Sequence, residues 1–92
     1  PYTEEFNQQL KELIRQRDNY ICQLCGIPEC ECKYGLPVHH IDYNKKNCLP
    51  TNLISLCHSC NLTVNWNQEY WQQYFEDKMK TIQESFQLKL RF

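Results

Sequence analysis

Apolar residues recur at three- and four-residue steps across residues 3–17, at Phe6, Leu10, Leu13 and Ile14, with polar and charged positions between them. That period places them on one face of an α-helix. Thr3 is the expected N-cap, and Glu4 and Glu5 suit the positive end of the helix dipole. Asp18 and Asn19 break the pattern, and residues 20–26 fit a tight turn that carries Cys22 and Cys25, with Gly26 free to adopt positive φ. Residues 27–35 hold Pro28, Cys30 and Cys32 without periodicity, which is loop composition. Two β-prone runs follow, residues 36–43 around His39 and His40 and residues 53–56, with the turn-like residues 44–47 between them. They predict a hairpin.

After Cys57, the residues Leu62, Trp66, Tyr70, Trp71, Tyr74 and Phe75 again follow helical spacing. A C-terminal helix is expected, its aromatic stripe packed against the first helix rather than stacked on unpaired bases. The tail alternates Phe86, Leu88, Leu90 and Phe92 with polar neighbours, as an edge strand or a partner-binding segment does. No internal repeat or low-complexity tract interrupts this order. The reading is a small α+β domain with an N-terminal helix and a C-terminal aromatic helix.

A chain of 92 residues leaves room for one core, so residues 1–92 are read as a single domain. So short a chain buries a modest share of its surface and needs a staple, which makes its seven cysteines the first feature to explain. There is no long apolar run and no signal-peptide pattern, so no membrane association is expected and the expected location is cytoplasmic. Pro1 stands where Met would open a chain, as expected of a domain excised from a longer protein.

In a reducing compartment, paired cysteines serve as metal ligands more often than as disulfides. Cys22 with Cys25 and Cys57 with Cys60 form two Cys-x-x-Cys pairs, each offering two thiolates from one turn. Four sulfurs suit tetrahedral Zn²⁺, whose binding free energy then becomes folding free energy. The alternative is two disulfides. Cys30, Cys32 and Cys48 are expected to be free surface thiols, and His58, inside the second pair, to face solvent or phosphate.

Net charge is −1 and the sequence pI about 6.3, which counts against an autonomous DNA binder held by charge alone. Basic groups still gather locally: Lys11, Arg15 and Arg17 early, Lys45 and Lys46 beside the histidines, Lys78 and Lys80 late. Arg15, Arg17, Lys45 and Lys46 are the candidate phosphate contacts, with a solvated surface as their ordinary alternative use. His39 and His40 are neighbours on a strand, so their rings point to opposite sides and need different roles. Asn52, Asn61 and Asn65 surround the second cysteine pair, the last two one helical turn apart. Asp42 is expected in a surface salt bridge, with contact to Lys45 or a metal as the other uses.

The strings C-Q-L-C-G, P-V-H-H-I-D and T-N-L-I-S-L-C-H-S-C-N together resemble the HNH endonuclease family over residues 17–65. The resemblance implies a zinc-stabilised, treble-clef-like ββα-metal fold, in which a hairpin bearing histidines packs on a helix bearing the last metal ligand. It implies that His40 is the general base, that His39 ligates the catalytic metal, and that Asn52 orients the base-bearing loop. The third motif position falls on Asn61, where many members have histidine, so the chain is similar to an H-N-N subtype, with Asn65 as a further candidate ligand. One imidazole and amide oxygens favour Mg²⁺ or Mn²⁺ over catalytic zinc.

The implied activity is hydrolysis of DNA phosphodiester bonds, double-stranded DNA being the expected partner. Products would carry 5′-phosphate and 3′-hydroxyl ends, and a monomer or weak dimer with one site per chain would nick. Near-neutral charge makes targeting by another domain or partner part of that expectation. A neutral imidazole base predicts loss of activity at acid pH. The competing reading is a non-catalytic zinc-ribbon module that binds nucleic acid or protein. It accounts for the cysteines but not for the placement of Asn52 and Asn61. A third reading is a protein-interaction domain that uses the aromatic helix and the tail.

Overall fold

A computed structural model describes residues 6–90 of the chain, with side chains described through residue 82. Helix α1 spans Gln8–Arg17 and is capped by Asn7, whose Oδ1 accepts the Leu10 N–H at 2.9 Å. Asn7 thus takes the role expected of Thr3, which lies outside the described residues together with Glu4 and Glu5. Phe6, just before the cap, is buried rather than helical. Asn19 and Tyr20 adopt φ of 58° and 56°, and these left-handed residues turn the chain off the helix.

Strands β1 (Val38–His40) and β2 (Leu53–Ser55) form the expected antiparallel hairpin, with His39 opposite Ile54 and His40 opposite Leu53. All six strand residues are buried, because the hairpin is covered on both faces. On one face, Val38 and Leu53 pack with Ile14 of α1 and with Phe6. On the other, Ile54 joins a larger cluster with Cys22, Leu36, Ile41, Leu56, Cys57, Val64, Phe75 and Met79. The two-residue period of a strand therefore sends His40 toward Phe6, ring centroids 4.5 Å apart, and His39 toward Phe75, 5.9 Å apart.

Past the hairpin, the single aromatic helix expected from the periodicity is two. Helix α2 spans His58–Thr63 and α3 spans Gln68–Leu90, parted by a bend in which Asn67 has φ of 57°. The break rotates the stripe, so only part of it becomes core. Phe75 is fully buried, which contributes about 1.5–3 kcal/mol. Trp71 is half-buried against the same cluster, whereas Leu62, Trp66, Tyr70 and Tyr74 are exposed, Trp66 to 78%. The edge strand expected over the tail is also replaced, since α3 continues through Leu90; Phe92 lies outside the described residues. Alternation over so few residues fits either period, and the helix already running through them prevails. Among the described residues, no helix is long and apolar enough to cross a membrane.

Arg17 and Asp18 dock the end of α1 on the hairpin. Asp18 is buried and accepts the Ser55 N–H at 2.9 Å, while Arg17 grips both its carboxylate oxygens at 2.9 and 3.0 Å. The same guanidinium donates to the carbonyls of Pro50 and Leu53 at 2.8 and 2.7 Å.

Candidate metal centre and histidine pocket

The first cysteine pair sits in a turn closed by the Gly26 N–H on the Cys22 carbonyl at 3.0 Å, with Gly26 at φ of 86°. Within it the Cys25 N–H points at the Cys22 sulfur at 3.5 Å. The second pair repeats the device at the start of α2, where Cys57 is the N-cap and its sulfur receives the Cys60 N–H at 3.5 Å. The Gln23 N–H bonds the Ser55 carbonyl at 3.0 Å, which ties the first turn to β2 just before Cys57.

The result is four sulfurs all within 4.8 Å of one another, Cys25 and Cys57 at 3.7 Å. Tetrahedral zinc with Zn–S bonds of about 2.3 Å needs sulfurs about 3.8 Å apart. All seven cysteines are free thiols, so the cluster can hold a metal ion, and zinc suits it. Burial opposes ionisation of Cys22, yet the N–H groups of Cys25, Cys57 and Leu24 bring its pKa down to about 7. Burial and the neighbouring sulfurs push Cys60 up instead. Thiols so crowded cannot all ionise without a cation among them.

A second cavity, of about 140 Å³, is lined by Val38, His39, His40, Tyr43, Lys45, Asn61 and Asn65. Five of these were singled out from the sequence, and β1, the following loop, α2 and the bend after it bring them together. His39 is buried, and its Nε2 has no hydrogen-bond partner among the described residues. A buried imidazole nitrogen left without a partner is costly, and a ligand in the cavity would relieve it. Burial, with a smaller contribution from His40, lowers the His39 pKa to about 4, which keeps the ring neutral as metal ligation requires. His39 Nε2 and the side-chain amides of Asn61 and Asn65 are thus the groups of this cavity that could accept a ligand.

His40 is also buried, and desolvation lowers its pKa despite the opposing charge of Asp42. Its Nε2 lies 3.8 Å from the Cys48 sulfur, so Cys48 is a half-buried neighbour of the pocket rather than the surface thiol expected. Cys32 is half-buried too, packed beside the cysteine cluster, while Cys30 is exposed. His58 is exposed, its ring 5.4 Å from that of Tyr34.

No protein-family model, no curated protein and no solved structure matches the chain.

Asn52 lies outside the cavity but controls its wall. Its Oδ1 accepts the Asp42 N–H at 3.0 Å, its Nδ2 donates to Asp42 Oδ1 and to the Asn47 carbonyl, both at 2.9 Å, and its own carbonyl accepts the Ile41 N–H at 2.8 Å. The loop after His40 is thus pinned to the start of β2. Asp42 belongs to this network rather than to the surface salt bridge expected of it.

The basic candidates divide. Lys45 and Lys46 are exposed, and Lys45 lines the cavity. Arg15 donates to the Leu36 carbonyl at 2.8 Å and lies 3.7 Å from Glu12. Arg17 spends its fork on Asp18, Pro50 and Leu53, so it serves as a structural clamp rather than as the phosphate contact expected. Sequence reasoning missed Tyr43, whose ring meets His39 edge-on at 4.9 Å and whose hydroxyl donates to the Val64 carbonyl at 2.6 Å. The available signal was its place three residues after His40 in a run that must turn.

Proposed function

We propose that the chain is a metal-dependent endonuclease of the HNH type, built as a ββα-metal finger with Zn²⁺ in the four-cysteine site, that hydrolyses phosphodiester bonds in DNA. The observation that carries this reading is the buried Nε2 of His39, without a partner among the described residues, in one cavity with His40, Asn61 and Asn65. A zinc-binding module without catalysis has no need of such a cavity.

In this reading His39, Asn61 and Asn65 hold Mg²⁺ or Mn²⁺. When bound, the ion supplies positive charge for the scissile phosphate and the leaving 3′ oxygen. His40, neutral because burial disfavours its charged form, takes the proton of the attacking water. Asn52 keeps the loop after His40 in place, and Lys45 at the cavity wall meets the substrate's negative charge. In-line attack of the water opposite the 3′ oxygen breaks the P–O3′ bond and leaves 5′-phosphate and 3′-hydroxyl ends.

The test is nicking of supercoiled plasmid in Mg²⁺, Mn²⁺ or EDTA, with His40→Ala alongside and zinc content measured in both. Removal of a general base costs roughly 10²–10⁴-fold in rate, so the variant should be folded, zinc-loaded and inactive. Undiminished nicking by it would refute the assignment of His40, and no cleavage by the native chain in either metal would favour the non-catalytic zinc module.

A further inference from the structure

The loop between the strands carries more order than its composition requires, and Asp42 is its centre. Oδ1 of Asp42 accepts the Asn44 N–H at 2.8 Å and the Asn52 side-chain amide at 2.9 Å, and Oδ2 accepts the Asn47 side-chain amide at 2.9 Å. The Asp42 N–H returns a bond to Asn52 Oδ1, so the two residues form a closed reciprocal pair. Asn47 extends the set, because its Oδ1 accepts the Leu49 N–H at 3.4 Å and its N–H bonds the Asn44 carbonyl at 3.0 Å. His40 lies at the root of this loop and Lys45 at its middle, and both line the cavity.

We propose that Asp42 is the positioning residue of the pocket: by accepting on both carboxylate oxygens from Asn44, Asn47 and Asn52, it sets where His40 and Lys45 stand. Its consequence for catalysis rests on the nuclease reading; its consequence for the loop does not. The three bonds need an acceptor at both oxygens, which among side chains of this size only a carboxylate provides. An asparagine at 42 keeps its oxygen toward Asn44 and Asn52 only with its NH₂ against that of Asn47, donor facing donor, and the rotation that relieves this clash takes the oxygen away from Asn44 and Asn52 and loosens the loop.

The same geometry prescribes a rescue. In the double variant Asp42→Asn with Asn47→Asp, the new amide oxygen at 42 still accepts from Asn44 and Asn52. Its NH₂ donates to the new carboxylate at 47, whose second oxygen still accepts the Leu49 N–H. Every partner is restored while the negative charge moves to position 47.

The experiment compares native protein, Asp42→Asn, Asn47→Ala and the double variant in zinc content, metal-dependent nicking, and hydrogen exchange at the Asp42 and Asn44 amides. Loss of a group that orients an active residue typically costs 10–100-fold, so Asp42→Asn should lose about that much kcat and its amide protection while keeping its zinc. Asn47→Ala, which deletes only the Oδ2 partner, should lose less of both, and the double variant should recover both. Protected amides in Asp42→Asn would overturn the proposal whether or not any form nicks DNA. A double variant as impaired as Asp42→Asn would overturn it too, showing that the charge at position 42 is what matters. A native chain that never nicks, with exchange following the pairing, would uphold the loop assignment and sink the nuclease reading alone.

Discussion

The cysteine cluster and the histidine pocket stand on the same hairpin, yet they are assembled in opposite ways. Each cysteine pair is made within one turn, where a backbone N–H already points at a sulfur, and the fold has only to bring two finished turns together. The pocket has no such local unit: His39 and His40 come from β1, Lys45 from the loop, and Asn61 and Asn65 from α2 and the bend after it. Metal at the first site would return free energy to the fold, whereas the second keeps a buried nitrogen without a partner among the described residues and so draws on it. The site that a metal would stabilise and the site read as reactive are thereby separated within one chain of 92 residues.

The sharpest way to break this contrast is to deny the four cysteines a metal. Structural zinc binding is worth roughly 10–16 kcal/mol in small zinc domains, comparable to or above the whole stability of a typical fold. Chelation of the metal, or Cys22→Ser with Cys57→Ser, should therefore unfold the chain as followed by circular dichroism, and the pocket should vanish with it. A chain that stays folded after complete metal loss would show that the core suffices without the cluster.

A smaller effect separates the arginine clamp from the pocket lysine. Breaking a buried ion pair costs about 3–5 kcal/mol when the partner charge is left uncompensated, and Asp18 is fully buried in its side chain. Arg17→Ala should accordingly lower the denaturation midpoint strongly, whereas Lys45→Ala should leave it nearly unchanged and, on the proposed nuclease reading, weaken only DNA binding and its salt dependence. Equal stability of the two variants would contradict the clamp.

The mildest perturbation is pH. If His40 is the proposed base it acts when neutral, and because burial lowers its pKa, activity should persist through the ordinary imidazole midpoint of about 6.5 and fall only at lower pH. A rate profile measured while bound zinc is monitored checks this, and an acid limb centred above that midpoint would contradict it.

Much of this architecture is legible in the chain. Local signals, such as the Cys-x-x-Cys spacing, the Gly26 turn and the two β-prone runs, are set by residues close along the chain and appear in the fold where they were expected. Longer inferences fared unevenly. The aromatic stripe of residues 62–75 follows one helical period, but the period is blind to the bend at Asn67, which leaves Trp66 exposed while Phe75 fills the core. Arg17 reads as a phosphate contact or a solvated group and Asp18 only as a helix breaker, because nothing local announces that Ser55, Pro50 and Leu53 will meet them. Asp42 was ambiguous for the same reason, since its partners Asn47 and Asn52 are asparagines among several others.

What the sequence determined by itself, then, is the parts: two sulfur turns, a hairpin with two histidines facing opposite ways, and helices on either side, because each depends on neighbours a few residues away. What only the tertiary structure decided is which polar groups are enclosed and with whom. The unpartnered Nε2 of His39, the full grip of Arg17 and the carboxylate hub at Asp42 exist only once distant segments exclude water around them, and that exclusion is a property of packing rather than of order along the chain.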